Sequence, residues 1–299
     1  MNLAISLTGV TKTFGSTIAV DNLDLAMPLG ALYGFIGPNG AGKTTTLRMI
    51  MSILFPDRGE LSVLGRPAAI EAKDRIGYLP EERGVYRKMK VGAFLIYMAR
   101  LKGVRDFSQA RAAAWLERLN LGGVQDKKCE ELSKGMLQKV QVIAAVLHEP
   151  DLLILDEPFS GLDPVNMRLL RELILAEHRR GATIIFSTHV MVQAEEICDH
   201  IVMLHKGRKV LDEQLLSIRR RHDPRALVFE PFERGADTAA LAGIDGVEKV
   251  AREGGTYRLD LRDGAEPVRV MRAVAAAVPP ARLELHRPSL EDIFVGLVT

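Results

Sequence analysis

Gly37, Gly42, Lys43 and Thr44 fall at the spacing G-x-x-x-x-G-K-[ST] within the run GPNGAGKTT of residues 37–45. Glycines there let backbone N–H groups turn inward around an anion, and a helix beginning behind them aims its positive end at the same point. The expected guest is phosphate. Lys43 should reach the β and γ phosphates and the Thr44 hydroxyl should take one position on Mg²⁺, with Asn39, Gly40 and Thr45 of the same loop as further candidate contacts. Two carboxylates, Asp156 and Glu157, follow the apolar run 152–155, so they stand at the end of a buried strand. Ends of parallel strands are where α/β proteins place chemistry. Asp156 is suited to hold Mg²⁺, directly or through water, and Glu157 to orient and deprotonate an attacking water. His189 follows a second apolar run, 182–186, and would share that edge. Ser133 is a good N-cap for the helix after it, and with Gly135 it marks a second helix start where an anion could sit, although taken alone the pattern favours a plain cap.

The elements that must position these residues are readable from pattern. An apolar run at 31–36 precedes the glycine loop, and residues 44–54 read as a helix closed by Pro56. Upstream, 4–10 and 16–27 alternate as strands do, with Gly15 and Asn22 as turn residues and Phe14 as a lone aromatic between them. Residues 61–65 read as a strand and turn, and 76–79 as a buried strand running into the charged Glu81, Glu82 and Arg83. From about 89 to 148 the period becomes helical throughout: Val91, Phe94, Leu95, Met98 and Leu101 share one face, and 112–121 and 140–147 repeat the behaviour. Met98 and Trp115 belong to that packing. Residues 160–164 read as a turn and 167–177 as a helix.

Beyond Gly207 the spacing predicts a short helix at 210–218 and a basic, proline-broken linker. Strands follow at 226–230, 247–251, 257–261 and 282–286, with helices at 236–242, 266–278 and 290–297 and a Gly254-Gly255 hairpin turn. The order βαββαβ suggests a small α+β, ferredoxin-like domain without a chemical motif.

Composition sets the outer bounds. The chain has 299 residues, 47% apolar and 26% charged, enough for one large domain and one small one. A formal net charge of +2 gives no electrostatic reason to expect a nucleic-acid partner. Cys129 and Cys198 lack metal-site spacing and read as reduced, inert thiols. No apolar run approaches the ~18 residues of a membrane span and no secretory leader is evident, so the chain is expected to be soluble and intracellular.

Together these motifs, in this order, resemble the nucleotide-binding subunits of ABC transporters over roughly residues 1–215. Residues 37–45 look like the Walker A loop, 152–157 the Walker B strand and 160–163 the D-loop with Asp163. His189 looks like the switch histidine, 132–136 the ABC signature and Phe14 the aromatic that stacks on adenine. The resemblance implies an α/β P-loop NTPase cassette with a RecA-like core, an antiparallel β subdomain and a helical subdomain near 88–148. The implied boundaries are 1–216 for the cassette, 217–225 for the linker and 226–299 for the accessory domain. It implies ATP and Mg²⁺, and two cassettes, identical or paralogous, meeting head to tail. Ser133 and Gly135 of one copy would touch the γ-phosphate held by Lys43 of the other, His189 would sense it, Asp163 would link the sites and Glu157 would act as base. A separately encoded membrane permease would complete the machine, at the cytoplasmic face of the membrane.

Three positions depart from the family pattern. LSKGM stands where LSGGQ is usual, bringing Lys134 and Met136; Glu81 replaces the Q-loop glutamine, keeping an acceptor for metal-bound water; and Phe14 replaces a tyrosine. The LPEERG run at 79–84 and the PSLEDIF run at 288–294 resemble a bacterial exporter subset of the sodium-extrusion and drug-resistance kind. Relatives dock a permease helix near residues 81–101, with Phe94 and Tyr97 as lining candidates here. The competing expectations are a soluble ABC-type ATPase that remodels a protein or nucleic acid, and a non-hydrolysing clamp, against which Glu157 and His189 argue.

Overall fold

The computed structural model describes residues 2–67, 69–82, 84–221, 226–233, 235–286 and 288–298. In chain order the elements of the first unit, Met1–Leu215, are β1 (Leu3–Phe14), β2 (Thr17–Pro28), β3 (Leu32–Ile36), α1 (Lys43–Ile50), β4 (Arg58–Val63), β5 (Ile76–Leu79), α2 (Val91–Leu101), α3 (Gln109–Arg118) and α4 (Lys134–Val146). They continue with β6 (Leu152–Asp156), α5 (Pro164–Arg180), β7 (Thr183–Thr188), α6 (Met191–Ile197), β8 (His200–His205) and β9 (Arg208–Gln214). Every residue of β3, β6 and β7 is buried, which is why each reads as an unbroken apolar run. They belong to a six-stranded sheet of order β5-β6-β7-β3-β8-β9, parallel except for the antiparallel β9. The register pairs Asp156 with Ser187 and Ile36 with Thr188. That pairing brings the glycine loop, the two carboxylates and His189 to one edge, at a point where chain order reverses.

A second, antiparallel sheet has the order β2-β1-β4. Its inward residues Ile5, Leu7, Leu25 and Met27 join Tyr33 and Phe35 of β3 and Leu47, Met49 and Ile50 of α1 in one core, which fixes the helix behind the glycine loop. Burying side chains of this size contributes on the order of 1.5–3 kcal/mol each.

Several boundaries differ from the sequence reading. Helix α1 stops at Ile50, not 54: Ser52 takes φ 56° and the N–H groups of Ile53 and Leu54 both return to the Arg48 carbonyl. Asn22, at φ 47°, sits in a bulge inside β2 and does not reverse the chain. The block from 89 to 148 is not helical throughout, since its three helices are separated by extended and turn segments, with a 3-10 turn at Cys129–Glu131. Helix α5 starts at Pro164 because Asp163 caps it.

The expected helix at 210–218 is largely strand. Lys206 and Gly207, at φ 48° and 79°, form a two-residue hairpin turn that folds β9 back on β8 and buries Leu211 opposite Met203.

The second unit, Leu216–Leu297, holds most of α7 (Leu215–Arg221), then β10 (Ala226–Pro231), β11 (Val247–Glu253), β12 (Thr256–Leu261), α8 (Pro267–Ala277), β13 (Pro280–His286) and α9 (Leu290–Val298). Half of the expected linker is thus helical, and its residues 222–225 lie outside the described residues. The four strands pair antiparallel in the order β11-β12-β10-β13, the ferredoxin-like arrangement, although a 3-10 turn at Ala239–Gly243 replaces the first helix. Leu227, Phe229, Leu241, Leu259, Val270 and Val274 form its separate core.

One half-buried histidine ties stability to pH. At the end of α4, His148 Nε2 donates to the Ile76 carbonyl at 3.2 Å, and burial reinforced by the Lys102 charge pushes its pKa from 6.5 down to about 4. The folded chain keeps this ring neutral while the unfolded chain protonates it near 6.5. The contribution is therefore complete above pH 6.5 and is lost as pH falls toward 4, by at most roughly 3 kcal/mol. Urea midpoints should drop between pH 7.5 and 5, and His148→Gln should remove that share of the drop; an unchanged drop in the variant would assign the acid sensitivity elsewhere.

Candidate nucleotide site

The glycine loop is built by close backbone approach. A Cβ at Gly37, φ 152°, would lie 2.3 Å from the Leu204 carbonyl oxygen, and one at Gly42, φ 102°, 2.5 Å from that of Ala19. Neither position accepts a side chain. Gly42 also caps α1 without any side-chain hydrogen bond, so the N–H groups of the first helical turn face the loop with no side-chain partner. Lys43 is buried and its Nζ donates to the carbonyls of Gly37 at 2.8 Å and Pro38 at 3.1 Å. Burial lowers its pKa, opposed by the charges of Glu157, Asp156 and Glu81.

Around the loop lies a cavity of about 600 Å³. Asn39, Gly40, Ala41, Gly42, Lys43, Thr44 and Thr45 line it together with Glu81 and Glu157. The sequence reading missed Thr17, Ile18, Ala19 and Lys206, which complete the wall. Their signal was indirect: β2 and the β8–β9 turn meet the loop only in space. Phe14, by contrast, is 49% exposed at the end of β1, under the Lys12 ammonium at 5.6 Å, and is absent from the cavity lining.

Asp156 is fully buried, and among the described residues neither carboxylate oxygen has a hydrogen-bond partner. Burial raises its pKa; the nearby hydroxyls of Ser187 and Thr44, outside hydrogen-bond geometry, offset part of the rise, and the charges of Glu81 and Glu157 add to it. Tyr78 beside it is pushed up to about 12, by burial first and the Asp156 charge second.

Glu157 occupies the left-handed region at φ 50°, a conformation costing of order 1–3 kcal/mol that persists only where neighbours enforce it. Its own N–H donates to Ser187 O at 3.0 Å. Oε1 accepts the His189 backbone N–H at 2.9 Å and meets the ring Nδ1 at 2.7 Å, while Oε2 lies 3.2 Å from Thr188 Oγ1. The backbone turn and the three contacts aim the carboxylate at the cavity.

Ser133, Gly135 and Asp163 are not brought to this cavity. Ser133 caps α4, its Oγ accepting the Met136 N–H at 3.3 Å. Gly135 approaches Leu162 and Gly161, and the Lys134 side chain lies across Gly161. Asp163 accepts the N–H groups of Asn166 and Val165, both at 3.0 Å, and the Asn166 side-chain amide; these bonds, those from Asn166 first, hold its pKa down. Gln138 donates to Pro158 O at 3.0 Å, and Lys139 to Leu119 O at 2.8 Å and Asn166 Oδ1 at 3.0 Å. The 132–136 segment and the 158–166 segment are thus one packed surface, apart from the glycine loop of the same chain.

Residues 20–160 match the family model described as ABC transporter, and residues 214–298 match that of the ATP-binding protein DrrA1-3-like C-terminal domain. The uncharacterized ABC transporter ATP-binding protein YhaQ of Bacillus subtilis is 42% identical over 98% of both chains. This chain belongs to the ATP-binding proteins of ABC transporters. The Nod factor export ATP-binding protein I of a Rhizobium species is 33% identical over 99% of this cassette protein and 97% of its own length. The bacitracin transport ATP-binding protein BcrA of Bacillus licheniformis is 31% identical over 100% and 98%. A solved ATP-binding subunit of an ABC transporter, 30% identical, superposes with a TM-score of 0.67 over 73% of this chain and 92% of its own. The cassette therefore binds and hydrolyses ATP, and the cavity beside Lys43 is where its glycine loop meets Glu81 and Glu157.

Proposed function

We propose that the protein powers an exporter at the inner face of a cell membrane, working with a permease on another chain and closing on ATP as a head-to-tail pair. The observation that carries this reading is the separation of Ser133, Gly135 and Asp163 from the glycine loop of the same chain. A second copy offers its 132–136 and 158–166 segments to the γ-phosphate that Lys43 holds, so neither site is complete alone. The full-length similarity to proteins named for Nod factor export and bacitracin transport supports the exporter role. Among the described residues no helix is long and apolar enough to cross a membrane, in keeping with a permease on another chain.

Asp156 and Thr44 suit Mg²⁺. The buried Asp156 oxygens lack partners, and one carboxylate with one hydroxyl matches an ion that keeps several waters and binds substrate phosphates. Bound there, the ion would neutralise charge developing on the phosphates. Glu157 takes the proton of the attacking water, the His189 backbone N–H keeps Oε1 while its ring turns from Oε1 toward the γ-phosphate, and Lys43 exchanges its carbonyl partners for phosphate oxygens.

For the permease contact, Tyr97, Tyr86 and Leu101 are exposed, the two tyrosines packing edge to face at 5.4 Å. Phe94 is 2% exposed and drops out of that contact.

Light scattering of Glu157→Gln tests the pairing. ATP and Mg²⁺ should convert a monomer into a dimer, whereas a monomer with ATP demonstrably bound would reject closure driven by nucleotide alone.

A further inference from the structure

Thr188, at the end of β7, is fully buried, and so far enters only as one of the contacts on Glu157. Its Oγ1 lies 3.2 Å from Glu157 Oε2 and 3.0 Å from Gln193 Oε1, and accepts the Val190 N–H at 3.1 Å. A hydroxyl offers one proton and two lone pairs. An ionised carboxylate only accepts, so the proton must point at Glu157. Val190 fills one lone pair, and the other is left for Gln193. That requirement turns the Gln193 amide so that its NH₂ faces Thr188, the two ends of an amide being assigned by their network.

We propose that Gln193 and Thr188 form a relay that fixes the rotation of the Glu157 carboxylate, as positioning residues for hydrolysis. The other support is weaker in kind. The His189 side chain is 50% exposed, and its ring must leave Oε1 if it turns to a phosphate. The Thr188 hydroxyl is shielded from water and has no competing task. It stays as the anchor while the ring moves, holding against the left-handed backbone at Glu157.

The inference rests on Glu157 being the base, so Glu157→Gln is measured beside the relay variants. Thr188→Val removes the hydroxyl at nearly constant shape, Thr188→Ser keeps it, and Gln193→Glu replaces a donor by a group that only accepts. With the full chain, kcat and KM for ATP and the affinity for a fluorescent ATP analogue are determined for each. Thr188→Val and Gln193→Glu should lower kcat roughly 10- to 100-fold, the loss of a hydrogen bond to a charged group, with KM and affinity unchanged and most activity retained in Thr188→Ser. Wild-type kcat in Thr188→Val and Gln193→Glu, with Glu157→Gln inactive, would overturn the relay and leave the base intact. So would an equal loss in Thr188→Ser, or a parallel loss of nucleotide affinity, either of which assigns Thr188 to packing. Turnover retained by Glu157→Gln would remove the base and the relay together. If Thr188→Val does not fold, Gln193→Glu, on the first turn of α6, carries the test.

Discussion

Glu157→Gln should lower ATP turnover by roughly 10² to 10⁴, the range for losing a positioned base, while ATP affinity stays within about twofold of the wild type. Glutamine keeps the volume, and its single carbonyl oxygen can replace one of the two carboxylate acceptors, Oε1 toward the His189 N–H or Oε2 toward Thr188, but not both. What it lacks is a site for the proton of the attacking water. Because Oε1 now holds the His189 ring at 2.7 Å, the substitution should also free that ring. Single-turnover hydrolysis with an independent measure of nucleotide binding separates the two effects. A variant that turns over at the wild-type rate would place the base on another residue.

Ser133→Arg should abolish hydrolysis by the assembled protein and leave ATP affinity of the monomer unchanged. Ser133 caps α4 at the surface, touching Met136 of its own helix and nothing in the nucleotide cavity. A large cation there costs about 1 kcal/mol of capping, too little to unfold the cassette, but it fills the surface offered to a second copy. Mixing this variant with Glu157→Gln makes the expectation sharper. In a mixed pair, one composite site carries both lesions and the other carries neither, so the mixture should regain part of the turnover that each variant has lost. Two inactive proteins that stay inactive together would place the Ser133 and Glu157 of one chain in one site. Weakened monomer binding would mean that Ser133 serves the fold.

What could be read from the sequence follows burial. Strands β3, β6 and β7 are buried on both faces and wrote themselves as apolar runs, so their chemistry-bearing ends were placed with them. The Ser133 cap was equally plain, being encoded within four residues. Strand β9 was missed because its turn relies on Lys206, a non-glycine residue at positive φ, and its side chains carry little apolar alternation. Lys206 and Ile18 escaped for a related reason: a cavity wall assembled from three distant loops leaves no spacing to recognise. Phe94 was the opposite failure. Val91, Phe94 and Leu95 already formed an inward stripe, all now buried, and the same ring could not also face a partner. Tyr97, off that stripe, could.

The contacts of Gln138 with Pro158, Lys139 with Asn166, and Asn166 with Asp163 pin α4 to the segment that directly follows Glu157. Mechanically this is a short, stiff crank. In the proposed pair, a load that tilted α4 would swing both ends of the crank at once, one bearing Ser133 and the other Asp163. Arrival at the neighbouring copy's phosphate and withdrawal from it would then be a single stroke rather than two events that must be timed.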